Sequence, residues 1–334
     1  MSLSPNLGAF VISLDFELYW GVRDFLTSNS FYQKNLLGEH EAIPAMLELF
    51  EDFEIAATWA TVGFLFADSK AELDRFKPKI LPEYDNQKLS PYVESFEKVT
   101  DELSLHYAPE LIKLVRNIQR QEVATHTFSH YYCLEKGQTK QAFAADIESA
   151  VAIAKEKSLN FKSIVFPRNQ HNPEYDEVLS KYGIICYRGN QNSWMYQFDG
   201  ETQVNPFYRT ARLADTYLNL SGLNTFQWKD MLQGHLVNVP ASMFLRPVKK
   251  ENGFLENLQF SRIVKSLEFA AKNKQIFHLW WHPHNFGLNL RENIGFLRRV
   301  FNSFRELREE YGIQSLSMAE TAQKAMEIGQ SAKI

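Results

Sequence analysis

The chain has 334 residues, 45% of them apolar and 23% charged, proportions of an ordinary globular protein. A formal net charge of −4 and an isoelectric point near 6.2 exclude nucleic acid as the default partner, because such binders carry a basic surface. No apolar run approaches the roughly 20 residues that span a bilayer. The start, "MSLSPNLGAF", lacks the basic stretch and apolar core of a signal peptide. A cytoplasmic protein is the expectation, and two cysteines, Cys133 and Cys186, fit a reducing compartment better than a disulfide framework.

Short apolar runs alternate with helical patterns along most of the chain. "AFVISLD" (9–15) reads as a strand, and residues 40–53 then repeat Ile43, Met46, Leu47, Phe50 and Phe53 at helical spacing. "IAATWATVG" (55–63) is the next strand. A helix is predicted over 109–120, with Pro109 at its first position. A strand ending at His126 and a helix over 139–157 follow. "SIVFPR" is a strand and "PEYDEVLSKY" a helix capped by Asn172, opened by Pro173 and closed by Gly183. "IICYRG", "LVNVPA" and "IFHLWWH" complete the strands. The helix over 291–311 buries Ile294, Leu297, Phe301, Phe304 and Leu307.

This serial βα order predicts a mostly parallel sheet, open or closed into a barrel. No internal repeat or low-complexity linker divides residues 1–334, so one domain is expected, with insertions near 64–105 and 189–233. The second insertion is crowded with aromatics, among them Trp194, Tyr196, Phe198, Phe207, Tyr208 and Trp228. They read either as a loop packed on itself or as a platform for sugar rings.

In parallel α/β folds chemistry gathers at the carboxyl ends of the strands. That edge carries Asp15 and Glu17 after the first strand, and His126 and His130 after the third. Arg168 follows the fourth, with His282 and His284 after the last. The four-residue histidine spacing decides little by itself, since His278 and His282 repeat it. The convergence of acids, imidazoles and a guanidinium on one edge decides more. Carboxylate with imidazole and no thiolate suits a divalent metal, zinc first, with cobalt, nickel or iron as substitutes. The H-E-x-x-H metalloprotease motif is excluded, because Thr127 stands where its glutamate belongs.

At these residues the chain resembles the polysaccharide deacetylases, the NodB-homology proteins of carbohydrate esterase family 4. "SLDFE", "ATWATVG", "HTFSH", "FPRN" and "WWHPHNF" fall in the family's order over residues 9 to about 290. The resemblance implies an incomplete or distorted (β/α) barrel of about seven parallel strands and a metal-dependent amide hydrolase. Carried over, it makes Glu17, His126 and His130 the metal ligands and Asp15 the general base. Arg168 would hold Asp15 ionised, and His282 would be the general acid. His284, Trp281 and Trp194 are expected to contact substrate.

The sequence departs from the common pattern in three places. Phe16 separates Asp15 from Glu17, a D-x-E form that resembles a subgroup whose late block also begins His-Pro. Pro167 precedes Arg168. The aspartate that orients the acidic histidine has no counterpart by pattern, Asp199, Asp215 and Asp230 all being candidates. His106 and His171 read as surface residues, and Cys133 as a buried thiol. The leading expectation is removal of an acetyl group from an N-acetylated, or O-acetylated, sugar. The partner would be a nucleotide- or lipid-linked amino sugar or an oligosaccharide. Cleavage of another C–N bond (deformylation, or allantoinase-like ring opening) and non-catalytic carbohydrate binding are the alternatives.

Overall fold

The computed structural model describes residues 7–24, 32–93, 103–196, 205–232, 234–249 and 253–331. Its strands are β1 (Ala9–Phe16), β2 (Ala57–Thr61), β3 (Gln121–Thr125), β4 (Ser163–Ile164), β5 (Cys186–Tyr187), β6 (Val237–Asn238), β7 (Met243–Phe244), β8 (Ile276–Trp281) and β9 (Gln314–Leu316). They form one parallel sheet in the order β6-β5-β4-β3-β2-β1-β8-β7, with β9 pairing the start of β1. Among the described residues no ladder joins β6 to β7, so the sheet curls into an open half-barrel, the incomplete barrel expected. β7 and β9 go beyond the expected strands. At two and three residues they are too short to carry a period-2 pattern.

The helices are α1 (Tyr32–Asp52), α2 (Lys70–Arg75), α3 (Pro109–Asn117), α4 (Lys140–Glu156), α5 (Asp176–Lys181), α6 (Pro206–Leu218), α7 (Gly253–Asn273), α8 (Leu290–Tyr311) and α9 (Met318–Ser331). The segment opened by Pro173 begins as a 3-10 turn before α5, with Asn172 accepting a hydrogen bond from the Glu174 amide at 3.1 Å. Gly183, at φ +77°, closes it. Helix α1 begins well before residue 40 and contains Pro44. In its early part Leu36 and Glu39 are buried, and it runs close to the turn after β8. A Cβ on Gly38 would lie 2.2 Å from the Gly287 carbonyl oxygen, so only glycine permits this approach.

All eight residues of β1 are buried, as befits a central parallel strand covered on both faces. Successive side chains point to opposite faces. Phe10, Ile12, Leu14 and Phe16 join the main core with Phe50, Trp59, Trp281, Phe301 and Phe304, between sheet and helices. The alternate set faces the barrel interior. There Ala9 and Val11 meet Met318, Ala322 and Ala325 of α9 in a second apolar cluster that closes the floor. Further along the same face come Ser13 and Asp15, both buried. The interior is therefore apolar at the amino ends of the strands and polar at the carboxyl ends.

Candidate active site at the carboxyl edge of the sheet

Asp15 ends β1 facing inward, and Glu17 follows on the same side. The 3-10 turn Leu18–Gly21 folds back so closely that a Cβ on Gly21 would overlap the Glu17 carboxyl group, at 1.9 Å from its carbon. Glycine there leaves the Glu17 side chain its place.

The histidines come from the turn after β3. Thr127 and His130 have φ of +63° and +57°, a left-handed conformation that costs a β-branched residue about 1–3 kcal/mol. The surroundings hold it. Thr127 Oγ1 accepts from the Tyr131 amide at 2.7 Å, and the Gly63 amide donates to the Thr127 carbonyl at 2.9 Å. Asp146 of α4 accepts from the amides of Phe128 (2.7 Å) and Ser129 (3.1 Å) and from the Ser129 hydroxyl. Burial pushes the Asp146 carboxyl up to about 6 despite these donors. Part of the first insertion supports the turn from behind. Tyr84 and Leu89 pack with Tyr132, and Tyr84 Oη accepts from the Tyr132 amide at 2.9 Å.

The turn brings His126 Nε2 to 3.4 Å and His130 Nε2 to 3.1 Å from Glu17 Oε2, all three residues being buried. One ligand-type atom from each lies within 4.8 Å of the other two. Burial outweighs Glu17 and pulls His130 down to about 4, so its imidazole is neutral at neutral pH. Burial raises the Glu17 carboxyl, but His282, His126 and His130 together hold it well below the usual range. Neutral imidazole, a second imidazole and an ionised carboxylate form the donor set that a zinc-class ion takes. His130 Nδ1 lies 3.2 Å from Tyr132 Oη, a contact that orients the ring.

Asp15 is held by Arg188, at the end of β5. The two make a bidentate pair, Nη1–Oδ1 2.7 Å and Nη2–Oδ2 2.8 Å. Burial alone would raise Asp15, but the Arg188 charge, His126 and the Arg188 hydrogen bonds leave it below its ordinary value. Arg188 also donates to Ser13 Oγ at 3.0 Å and to Asn169 Oδ1 at 2.9 Å, and lies 4.1 Å from the Trp280 ring centre. Ser13 Oγ is 2.8 Å from Nε2 of His278, whose Nδ1 faces the Pro240 carbonyl at 3.1 Å. A carbonyl only accepts, so Nδ1 carries the proton. The Ser13 hydroxyl then donates to Nε2 while its oxygen accepts from Arg188.

His282 faces these groups, its Nε2 3.4 Å from Glu17 Oε1 and 3.8 Å from Asp15 Oδ2. Its ring stacks on that of His284 at 5.0 Å. His284 in turn meets Tyr32 Oη at 2.8 Å and lies beside the buried Glu39. Burial and the Glu17 charge push the Glu39 carboxyl well above the usual carboxylate range. Asp15, Glu17, His126, His130, Trp280 and His282 line one end of a cavity of about 400 Å3.

No protein-family model matches the chain, and no curated protein matches it in sequence. Solved structures do match in shape. A putative polysaccharide deacetylase from Mycobacterium smegmatis superposes with a TM-score of 0.60 at 13% identity, covering 99% of this chain and 93% of the other. A probable polysaccharide deacetylase from Pseudomonas aeruginosa PAO1 gives 0.58 at 8% identity, covering 97% and 92%. Puue allantoinase gives 0.54 at 9% identity, covering 96% and 91%. The chain has the polysaccharide deacetylase fold.

Within that deacetylase fold the structure brings Asp15, Glu17, His126, His130 and His282 together and moves other expected residues elsewhere. Arg168 does not reach Asp15. It pairs with Asp24 and approaches Glu135 at 3.7 Å, above the Tyr132 ring. Pro167 precedes it and Arg168 has φ of +55°; its side chain lines the cavity but is held by these acids. Trp281 is a core residue on the helix-facing side of β8, stacked on Phe286, and is fully buried. Trp280 is the tryptophan at the cavity. Trp194 lies outside the cavity lining and packs on Phe207 and Tyr208.

His284 is buried behind His282 at the cavity margin, and His106 is buried against Tyr19 and Trp20 rather than exposed. His171 is partly covered and pairs with Asp176 at 2.8 Å. Of the aspartates considered for orienting His282, Asp215 pairs with Arg262 and Asp230 is exposed. Asp199 and Phe198 lie outside the described residues.

The Asp146 support gives a direct prediction. Asp146→Ala strands the amides of Phe128 and Ser129 in the interior, at about 1–3 kcal/mol each. Metal affinity is expected to fall about 10–100-fold, as when other groups that orient ligands are removed. Thermal unfolding with and without zinc reads both effects. Unchanged zinc affinity in Asp146→Ala would show that the turn does not depend on α4.

Proposed function

We propose that the chain is a metal-dependent hydrolase that removes an acetyl group from an N-acetylated sugar. The reading is carried by the Glu17, His126 and His130 cluster, set beside the Asp15–Arg188 pair and His282 in one cavity. Glu17, His126 and His130 would hold the metal. When bound, a zinc-class ion supplies Lewis acidity toward the amide carbonyl and lowers the pKa of water.

The remaining chemistry belongs to the chain. Asp15, kept ionised by Arg188, accepts a proton from the attacking water. His282 protonates the departing nitrogen, because an amine anion is too basic to leave unaided. Ser13, Asn169 and His278 keep the Arg188 fork directed at Asp15. Trp280 offers an apolar face to the sugar ring. Asp15 and His282 are separate groups beside Glu17, His282 Nε2 lying 3.4 Å from Glu17 Oε1 and 3.8 Å from Asp15 Oδ2, so one can take a proton while the other gives one.

The test is acetate release by zinc-loaded protein from chitooligosaccharides and UDP-N-acetylhexosamines, with allantoin and N-formyl amides in parallel. Acetate release from the sugars and none by His126→Ala is the expected result. Turnover of allantoin or a formyl amide alone would replace deacetylation with another C–N cleavage. Sugar binding without turnover of any substrate would leave a carbohydrate-binding protein.

A further inference from the structure

The cavity continues past the proposed catalytic groups to a wall lined by Arg209, Arg212 and Arg246, with Tyr196 between. Arg209 and Arg212 stand three residues apart on α6, which puts them on one helix face. Arg246 follows β7. Among the described residues lining the cavity the carboxylates are Asp15 and Glu17, beside the proposed catalytic groups. Arg188 holds Asp15, and the histidines surround Glu17. Asp215, also on α6, pairs with Arg262 at 3.0 Å and accepts from Tyr196 Oη.

Among the described residues neither Arg209 nor Arg246 has a carboxylate partner. Arg246 donates only to neutral oxygen, Nε to Thr216 Oγ1 at 3.1 Å, and Arg212 Nη1 reaches the Met195 carbonyl at 3.1 Å. Burial lowers Arg246, and burial with repulsion from Arg209 and Arg246 lowers Arg212. Arg209 and Arg246, on one wall with no carboxylate partner among the described residues, repel one another unless a ligand supplies the counter-charge.

We propose that Arg209 and Arg246, with Arg212 beside them, form a phosphoryl-binding subsite, so that the substrate is an N-acyl sugar bearing a phosphate ester or a diphosphate link. A carboxylate offers one negative charge and is satisfied by a single guanidinium fork. A phosphoryl group offers about −1.5 to −2 and three acceptor oxygens, which matches several forks. The geometry sets the spacing. Arg246 lies 5.8 Å from the Phe244 ring centre, and that ring is 5.8 Å from His282. Arg246 and the proposed acid thus both pack against one aromatic ring, within reach of a single sugar with its amide at one end and its phosphoryl group at the other. A cavity of about 400 Å3 is in the range of pockets that enclose a small ligand.

This inference depends on the deacetylase reading only in that the sugar bearing the phosphoryl group is the one whose amide is cut. Its test is therefore binding, measured calorimetrically on chelator-treated protein so that no metal attracts the phosphate. The probes are N-acetylglucosamine, N-acetylglucosamine 1-phosphate, UDP-N-acetylglucosamine and, as carboxylate, N-acetylneuraminate.

The expected result is at least about tenfold tighter binding of a phosphorylated probe than of neutral sugar. That preference should shrink in Arg209→Gln, at an exposed position on α6, and vanish in R209Q/R246Q. It should persist in Arg305→Gln on the outer face of α8. The monophosphate and the UDP-sugar distinguish a simple ester from a diphosphate link. Equal affinity for neutral and phosphorylated sugar, a preference that survives R209Q/R246Q, or tightest binding of the carboxylate would each overturn the proposal. Acetate release without phosphate preference would overturn it alone, and phosphate-dependent binding without turnover would instead overturn deacetylation.

Discussion

Alanine at His126 or His130 is expected to give folded protein that no longer takes up metal. Wild-type protein supplied with zinc should carry close to one ion per chain by mass spectrometry. Either variant should carry close to none, because two remaining donors neither neutralise nor enclose a zinc-class ion. The same contrast should appear as stability. An ion that binds only the folded state adds about 2.7 kcal/mol at a hundredfold excess over its dissociation constant, and neither variant should gain it. Activity should fall at least about a thousandfold, since a Lewis acid at the carbonyl contributes several kcal/mol to the transition state and each 1.36 kcal/mol is tenfold in rate. Wild-type protein that stays metal-free in excess zinc, with no rise in melting temperature, would sink the metallohydrolase reading.

The site's centre was readable from sequence because it follows strand ends. β1 is long and apolar, so its exit at Asp15 and Glu17 is unambiguous, and the turn holding His126 and His130 follows β3 directly. Arg188 ends β5 in the same way, in "IICYRG", and the strand-end rule would have found it. The resemblance pointed to the arginine one strand-end too early, at Arg168, where two left-handed residues divert the chain. Trp281 was misplaced against its own strand's alternation, which sends it to the helices while Trp280 and His282 turn inward. The arginine wall had no such signal. Arg209 and Arg212 come from an insertion in which no helix was predicted, and Arg246 follows a two-residue strand too short to show a period. Orientation of the acid histidine was sought in aspartates, yet the ring beside His282 is His284, backed by α1 through the contact at Gly38 and Gly287.

Arg188→Met should be the most damaging change that touches no proposed metal ligand. It leaves the Asp15 carboxyl buried without its partner, which costs about 3–5 kcal/mol. In wild type the Asp15 pKa lies below its unfolded value of about 3.9. The unfolded chain then binds more protons, and this group's stabilisation is full above that value and lost as pH falls through the folded one. A cation at Glu17 would push Asp15 in the same direction. Without Arg188, burial prevails and the folded pKa moves above the unfolded one, so the sign reverses and stability falls as pH rises. The stability gap between wild type and Arg188→Met should therefore widen as pH is raised above about 4. The acid limb of kcat/KM should move up with the base, at a loss of about 10²–10⁴ where Asp15 stays protonated. The double variant R188M/D15N removes the stranded charge, and should recover stability over Arg188→Met without recovering activity. Denaturant titrations at several pH values measure the first effect and the pH–rate profile the second. An unmoved acid limb in Arg188→Met would mean that Asp15 is not the base that Arg188 keeps ionised.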